Sequence, residues 1–147
     1  MQLLNPAFEN SKRIPEKYGA KGRNKNPPLI IKNAPGAAVS FAVIMHDPDA
    51  VRGDFLHWII WNIPGNTVSI DEGIAPKGAT QGLNDMRKAE YLRPLPPSGT
   101  GVHRYVFNLY ALDTLFDLPH DAERSTVEKM IEKHVIAEAS LTGLYSR

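Results

Sequence analysis

Apolar residues in this chain gather in three strong blocks. Between Ala38 and Met45 the pattern partly alternates, so Val39, Phe41, Val43 and Met45 share one face of an extended segment. Phe55 to Ile63 is denser, with Trp58-Ile59-Ile60-Trp61 at its centre and His57 near its start. Tyr105 to Leu112 is the third, rich in aromatic and β-branched residues. Leu29-Ile30-Ile31 adds a short strand, and Asn33-Ala34-Pro35-Gly36, Asp47-Pro48-Asp49 and Pro64-Gly65-Asn66 supply turn chemistry between the blocks. Ser69 to Pro94 has little periodicity and reads as a long irregular surface segment.

Towards the C-terminus the period changes. Ser125-Thr126-Val127-Glu128 fits a capping box, and Val127, Met130, Ile131 and His134 follow at helical spacing. Val135 to Leu141 fits helix or strand equally. Several strands with turn-rich connections and one late helix predict a mainly β protein. The expected form is an antiparallel β-sandwich of two sheets with one or two short helices. Residues 1–147 show no repeat or linker and read as a single domain.

Composition narrows the function. With 17 Lys+Arg against 16 Asp+Glu the formal charge is +1, which gives no global case for nucleic acid or an anionic membrane. The most basic stretch, Lys21-Gly22-Arg23-Asn24-Lys25-Asn26, reads as a solvated loop. Zero cysteines exclude disulfides, thiolate catalysis and Cys-ligated zinc. No apolar run reaches membrane-spanning length and the first residues lack a signal-peptide pattern, so a cytoplasmic protein is expected.

Candidate chemistry sits at strand ends. Pro96-Pro97-Ser98-Gly99-Thr100-Gly101-Val102 is a shaped loop that delivers His103-Arg104-Tyr105 to the third block. Asp47 and Asp49 close the first block, and His57 opens the second. These ends are expected to converge on one small pocket. Structural roles compete: aspartates around a proline are ordinary turn residues, and a half-buried histidine can be satisfied by a backbone carbonyl. His46, His120 and His134 read as structural or surface residues. Two histidines with carboxylates allow three chemistries: anion binding, a His/Asp metal site, or hydrolysis. H-E-x-x-H spacing, the G-x-S-x-G elbow and the P-loop pattern are all missing, and the nearness of Ser98 and Thr100 to His103 in sequence does not by itself make a triad.

Taken together, Asp47-Pro48-Asp49-Ala50, His57-Trp58 and Pro96-Pro97-x-Gly-Thr-Gly-x-His103-Arg104-Tyr105 resemble the two signature regions of the phosphatidylethanolamine-binding proteins. Raf kinase inhibitor protein is the animal member of that family, and the length and short loops here resemble its bacterial and archaeal branch. Pro27-Pro28-Leu29, Gly82-x-Asn84-Asp85 and His134-Val135-Ile136-Ala137-Glu138-Ala139 extend the likeness. The resemblance implies a sandwich with a small anion pocket at one end, lined or supported by Asp47, Asp49, His57, Pro97, His103 and Tyr105. It implies a phosphate-like ligand and a regulatory, kinase-inhibitor-like role rather than catalysis, with no cofactor or metal. A kinase or protease is the partner it suggests, and bacterial relatives suggest a homodimer. The alternatives are a hydrolase with His57 or His103 as general base, and an interaction module or protease inhibitor with a vestigial pocket. Three positions depart from the family pattern: Val51 stands where proline is usual, Ile31 where tryptophan is usual, and Arg93 where glycine is usual. Arg93 is expected at the pocket rim as an added cation, since Pro94 restricts its backbone. Cis peptides are expected at Asp47–Pro48 and Gly53–Asp54.

Overall fold

The computed structural model describes residues 1–147. Nine strands form in chain order: β1 (Gln2–Leu4), β2 (Lys12–Arg13), β3 (Leu29–Lys32), β4 (Ser40–Asp47), β5 (Phe55–Pro64), β6 (Ser69–Ile70), β7 (Thr80–Gln81), β8 (His103–Leu112) and β9 (Val135–Tyr145). A single-turn 3-10 helix covers Glu16–Tyr18, and α1 (Arg124–His134) runs directly into β9. The large sheet has the order β2-β9-β8-β4-β5-β7 and the small one β1-β3-β6. All pairings are antiparallel except β2 with β9, which is parallel.

The three apolar blocks become the three central strands: β4 and β5 are buried on both faces, while β8 buries one face and leaves the other partly covered. On one face Phe41, Val43, Met45, Trp58, Ile60, Phe107 and Leu109 pack against Leu3, Leu29, Ile31 and Ile70 of the small sheet. On the other, Ala42, Ile44, Ile59 and Trp61 meet Val127 and Ile131 of α1. Two-sided burial explains why β4 and β5 read as near-continuous apolar runs rather than clean alternation. Val39 lies just outside β4 and is 47% exposed, so it does not share the core face expected for it. Val135 to Leu141 resolves as strand. Its residues alternate between half-buried and exposed, a two-residue period carried by small side chains.

Two sequence expectations are corrected. The capping box does not form: Glu123 is the N-cap, and its carbonyl accepts the N–H groups of Thr126 and Val127. Ser125 is therefore already inside the helix. Glu128 pairs instead with Arg124 one turn back, a favourable i,i+4 contact. There is also no cis peptide in the chain. The turn after β4 is closed by the Asp47 carboxylate, which accepts the Asp49 N–H at 2.8 Å. Gly53 then takes a positive φ of 104° and donates its N–H to the Ala50 carbonyl.

Candidate functional site

One end of the sandwich opens into a cavity of about 450 Å³. Its polar wall consists of Asp47, His57, His103 and Tyr105, from three different strands. Apolar walls come from Phe55, Leu92, Leu95, Pro96 and Pro97, with Val51, Arg52 and Met86 at the mouth.

Strand register places these side chains. In β8, His103, Tyr105 and Phe107 alternate inward, so His103 ends the core face. In β4, Asp47 ends the strand opposite Phe55. In β5 the pairing steps from Met45↔Trp58 to His46↔Leu56, leaving His57 as the extra residue of a bulge. Trp58 still packs in the core while His57 lines the cavity, so the bulge aims both side chains to the same side of the sheet.

The hydrogen bonds define the chemistry. His103 and Asp47 are almost fully buried and joined through Nδ1 and Oδ2 at 2.8 Å. The other ring nitrogen, Nε2, lies 2.8 Å from the Thr100 hydroxyl, which is also 2.7 Å from the Pro97 carbonyl. Thr100 has one hydroxyl proton to give. If it goes to Pro97, His103 must donate from both nitrogens and is an imidazolium; if it goes to Nε2, the ring is neutral. His57 donates from Nδ1 to the Leu92 carbonyl at 2.8 Å. That bond fixes the tautomer and leaves Nε2, which has no protein partner, as the free nitrogen of a ring lining the cavity. Burial pushes the His57 pKa down, against smaller upward pulls from the Leu92 bond and Asp47. Tyr105 lies between the two imidazoles: its ring is 5.2 Å from that of His57, edge-on, and 6.4 Å from that of His103, stacked. Burial, with the Asp47 carboxylate adding to it, pushes the Tyr105 phenol far above its usual range, so its hydroxyl stays protonated and able to donate.

Asp49 and Arg93 stand apart from the cavity wall. The Asp49 carboxylate accepts the Arg104 N–H and a two-pronged guanidinium contact, all at 2.9 Å, and touches neither imidazole. Arg104 holds the Asp49 pKa down to about 2, and the pair ties the turn after β4 to the start of β8. Arg93 is not at the rim. Its neighbour Leu92 lines the cavity instead, while Arg93 is half-buried outside the cavity wall, its Nε enclosed and without a hydrogen-bond partner. The Arg93 charge bears on the Tyr91 phenol.

Sequence reading missed the supports of the site. Thr100 had a signal, three residues before His103 in a glycine-flanked turn. Asn24 had none. Its Nδ2 donates to the Tyr91 carbonyl at 2.6 Å and its Oδ1 accepts the Arg93 N–H at 2.7 Å, clasping the segment whose Leu92 carbonyl holds His57. Buried Asn84 organises the mouth in the same way: its Oδ1 accepts the Met86 and Lys88 N–H groups and its Nδ2 donates to the Glu90 carbonyl. Asn24→Ala is expected to free that segment and lower ligand affinity about tenfold with the fold retained. Calorimetry with phosphate measures the affinity, and the His57 ring ¹⁵N shifts report lost order.

With this geometry in hand, comparison with known proteins defines the class. A family model for phosphatidylethanolamine-binding protein matches residues 4–146. The chain belongs to the phosphatidylethanolamine-binding protein family. A UPF0098 protein of Methanothermobacter thermautotrophicus is 44% identical over 152 residues, covering 100% of this chain and 99% of its own. Among solved structures, a phosphatidylethanolamine-binding protein homolog from Chlamydia trachomatis superposes with a TM-score of 0.93 at 33% identity, over 99% of this chain and 97% of its own. Escherichia coli YbcL, a member of the mammalian family, gives 0.92 at 27% identity, over 99% and 98%. No helix of this chain is long and apolar enough to cross a membrane.

Proposed function

We propose that this protein binds a small phosphate-like anion in the Asp47/His57/His103/Tyr105 cavity and acts as a regulatory binding protein. The observation that carries the reading is the pair of imidazoles. Both line one cavity, each is oriented by a partner on Nδ1, and a protonated phenol lies between them. Protonated at its free Nε2, His57 would donate to an oxyanion group alongside the Tyr105 hydroxyl, while His103, engaged at both nitrogens, holds the wall in place. The apolar walls suit an organic substituent on that anion rather than free phosphate alone. A kinase-inhibitor-like role follows from the family likeness, and a kinase or protease would be the partner.

The hydrolase reading has one observation of its own. Thr100, His103 and Asp47 form a hydroxyl–imidazole–carboxylate chain with two 2.8 Å links. Binding is favoured over it because the Pro97 carbonyl competes with His103 for the single Thr100 hydroxyl proton and Thr100 is not part of the cavity wall. Phosphate titration and an ester-hydrolysis assay on the same samples separate the two. Saturable phosphate binding lost in His103→Ala, with no turnover, supports the binding role. Ester turnover lost in both His103→Ala and Thr100→Ala would replace it with the hydrolase.

A further inference from the structure

A second concavity, of about 380 Å³, lies against the loop that follows the 3-10 helix. Unlike the first, it is lined mostly by charged residues. Lys17, Lys21, Arg23 and Lys25 line it together with a single carboxylate, Glu72; Tyr18 is the one apolar wall. Residues 17–25 contain no acid at all, although the chain as a whole is nearly neutral. Glu72 is already engaged, by Lys17 at 3.0 Å and by the Tyr18 hydroxyl. Glu16, whose charge also reaches Lys21, is engaged by Arg13 and the Tyr145 hydroxyl. Lys21, Arg23 and Lys25 therefore face one concavity with no ion-pair partner within 4 Å.

The loop that bears these cations is held in shape. A Cβ on Gly19 would fall 2.2 Å from the Tyr145 ring, and one on Gly22 would fall 1.8 Å from the Lys17 carbonyl oxygen, so both positions exclude any side chain. Tyr145 accepts the Ala20 N–H at 2.9 Å and donates to Glu16 at 2.7 Å. Asn24 clasps Tyr91 and Arg93, and buried Asn26 donates to the Asp71 carbonyl at 3.0 Å. The Lys25 stem lies beside Gly73, where an added Cβ would come within 3.0 Å of it. Three unpaired cations on a braced backbone cost less to order around an anion than cations on a free arm. Arg23 adds a planar fork that matches two phosphate oxygens at once.

The geometry points to a second anion site here, separate from the Asp/His cavity, that takes a group of two or more negative charges: a phosphate monoester or a pyrophosphate. A neutral ligand would leave the three cations facing one another across the concavity.

The test is an amide ¹H–¹⁵N titration of the full chain with pyrophosphate, repeated in Lys21→Gln/Arg23→Gln and in His57→Gln. A parallel arm uses phosphatidylcholine vesicles with and without phosphatidic acid, which separates a lipid headgroup from a soluble phosphate. The expected result is saturable, salt-sensitive shifts of the Ala20 to Asn26 amides. These weaken about tenfold in Lys21→Gln/Arg23→Gln and persist in His57→Gln. Loss of phosphatidic-acid-dependent sedimentation in the same double variant would assign the same site to a lipid headgroup. Shifts confined to the Asp/His cavity, or loop shifts equal in wild type and double variant, would overturn the proposal. Because the loop response is read separately from the cavity response, failure of either site leaves the other standing.

Discussion

Asp47→Ala should destabilise the protein by about 3–5 kcal/mol and abolish anion binding in the cavity. The pair it breaks is buried, with side-chain exposures of 4% for Asp47 and 2% for His103. Removing one member leaves the other desolvated without its partner, which costs far more than the pair contributes in net stability. Asp47 also caps the turn after β4 through the Asp49 N–H, so the substitution loosens the segment that carries Ala50 and Val51 to the cavity mouth. Replacing both partners, as in Asp47→Leu/His103→Phe, should recover much of the stability and none of the binding. Urea denaturation of wild type and the two variants measures the first effect and phosphate calorimetry the second. A single Asp47→Ala variant as stable as wild type would mean that the buried pair does not anchor this end of the sandwich.

The second large effect is on pH dependence. In the free protein burial holds the His57 pKa below its ordinary value of about 6.5, so the ring is neutral at neutral pH. A dianion beside its free Nε2 favours the charged ring and raises the pKa in the complex. Between the free and bound values, binding takes up one proton, and affinity falls about tenfold per pH unit as pH rises. Sulfate is the probe of choice because it stays a dianion over about pH 5 to 8, where histidines titrate. Its affinity should fall across this range in wild type and flatten in His57→Gln. The same linkage acts on folding with its own sign. Because the folded pKa is depressed, the stability that neutral His57 contributes is present above the unfolded value of about 6.5. It is lost as pH falls through the lower folded value. Acidification should therefore destabilise the ligand-free protein, less so in His57→Gln, and sulfate should offset the loss. Affinities equal in both proteins at every pH would assign the holding to Tyr105 and other neutral donors.

Much of this architecture was legible in the residues. Runs such as Trp58-Ile59-Ile60-Trp61 can only be central strands when both faces are covered. Histidines and acids at the ends of such strands then gather at one end of the sheet. Local backbone events were not legible. Nothing in the order Leu56-His57-Trp58 announces that His57 is the extra residue of a bulge, yet that bulge is what turns its ring into the cavity. The capping-box pattern at Ser125 failed because the helix starts two residues earlier, with Glu123 as its N-cap, and Arg124 captures Glu128. Arg93 was expected at the rim, but Leu92 lines the cavity in its place, and nothing in the aperiodic stretch around them reveals which of the two faces the opening. Asn24 belongs to a loop with no periodicity at all, and its role comes from a contact 67 residues away in sequence.

Crystals grown with a phosphate ester decide whether the Asp/His cavity is the anion site. An oxyanion group should be seated there, within hydrogen-bond reach of His57 Nε2 and the Tyr105 hydroxyl and beside His103, with its substituent along Leu95 and Pro96. An ordered ester bound elsewhere on the molecule while this cavity holds only water would contradict that assignment.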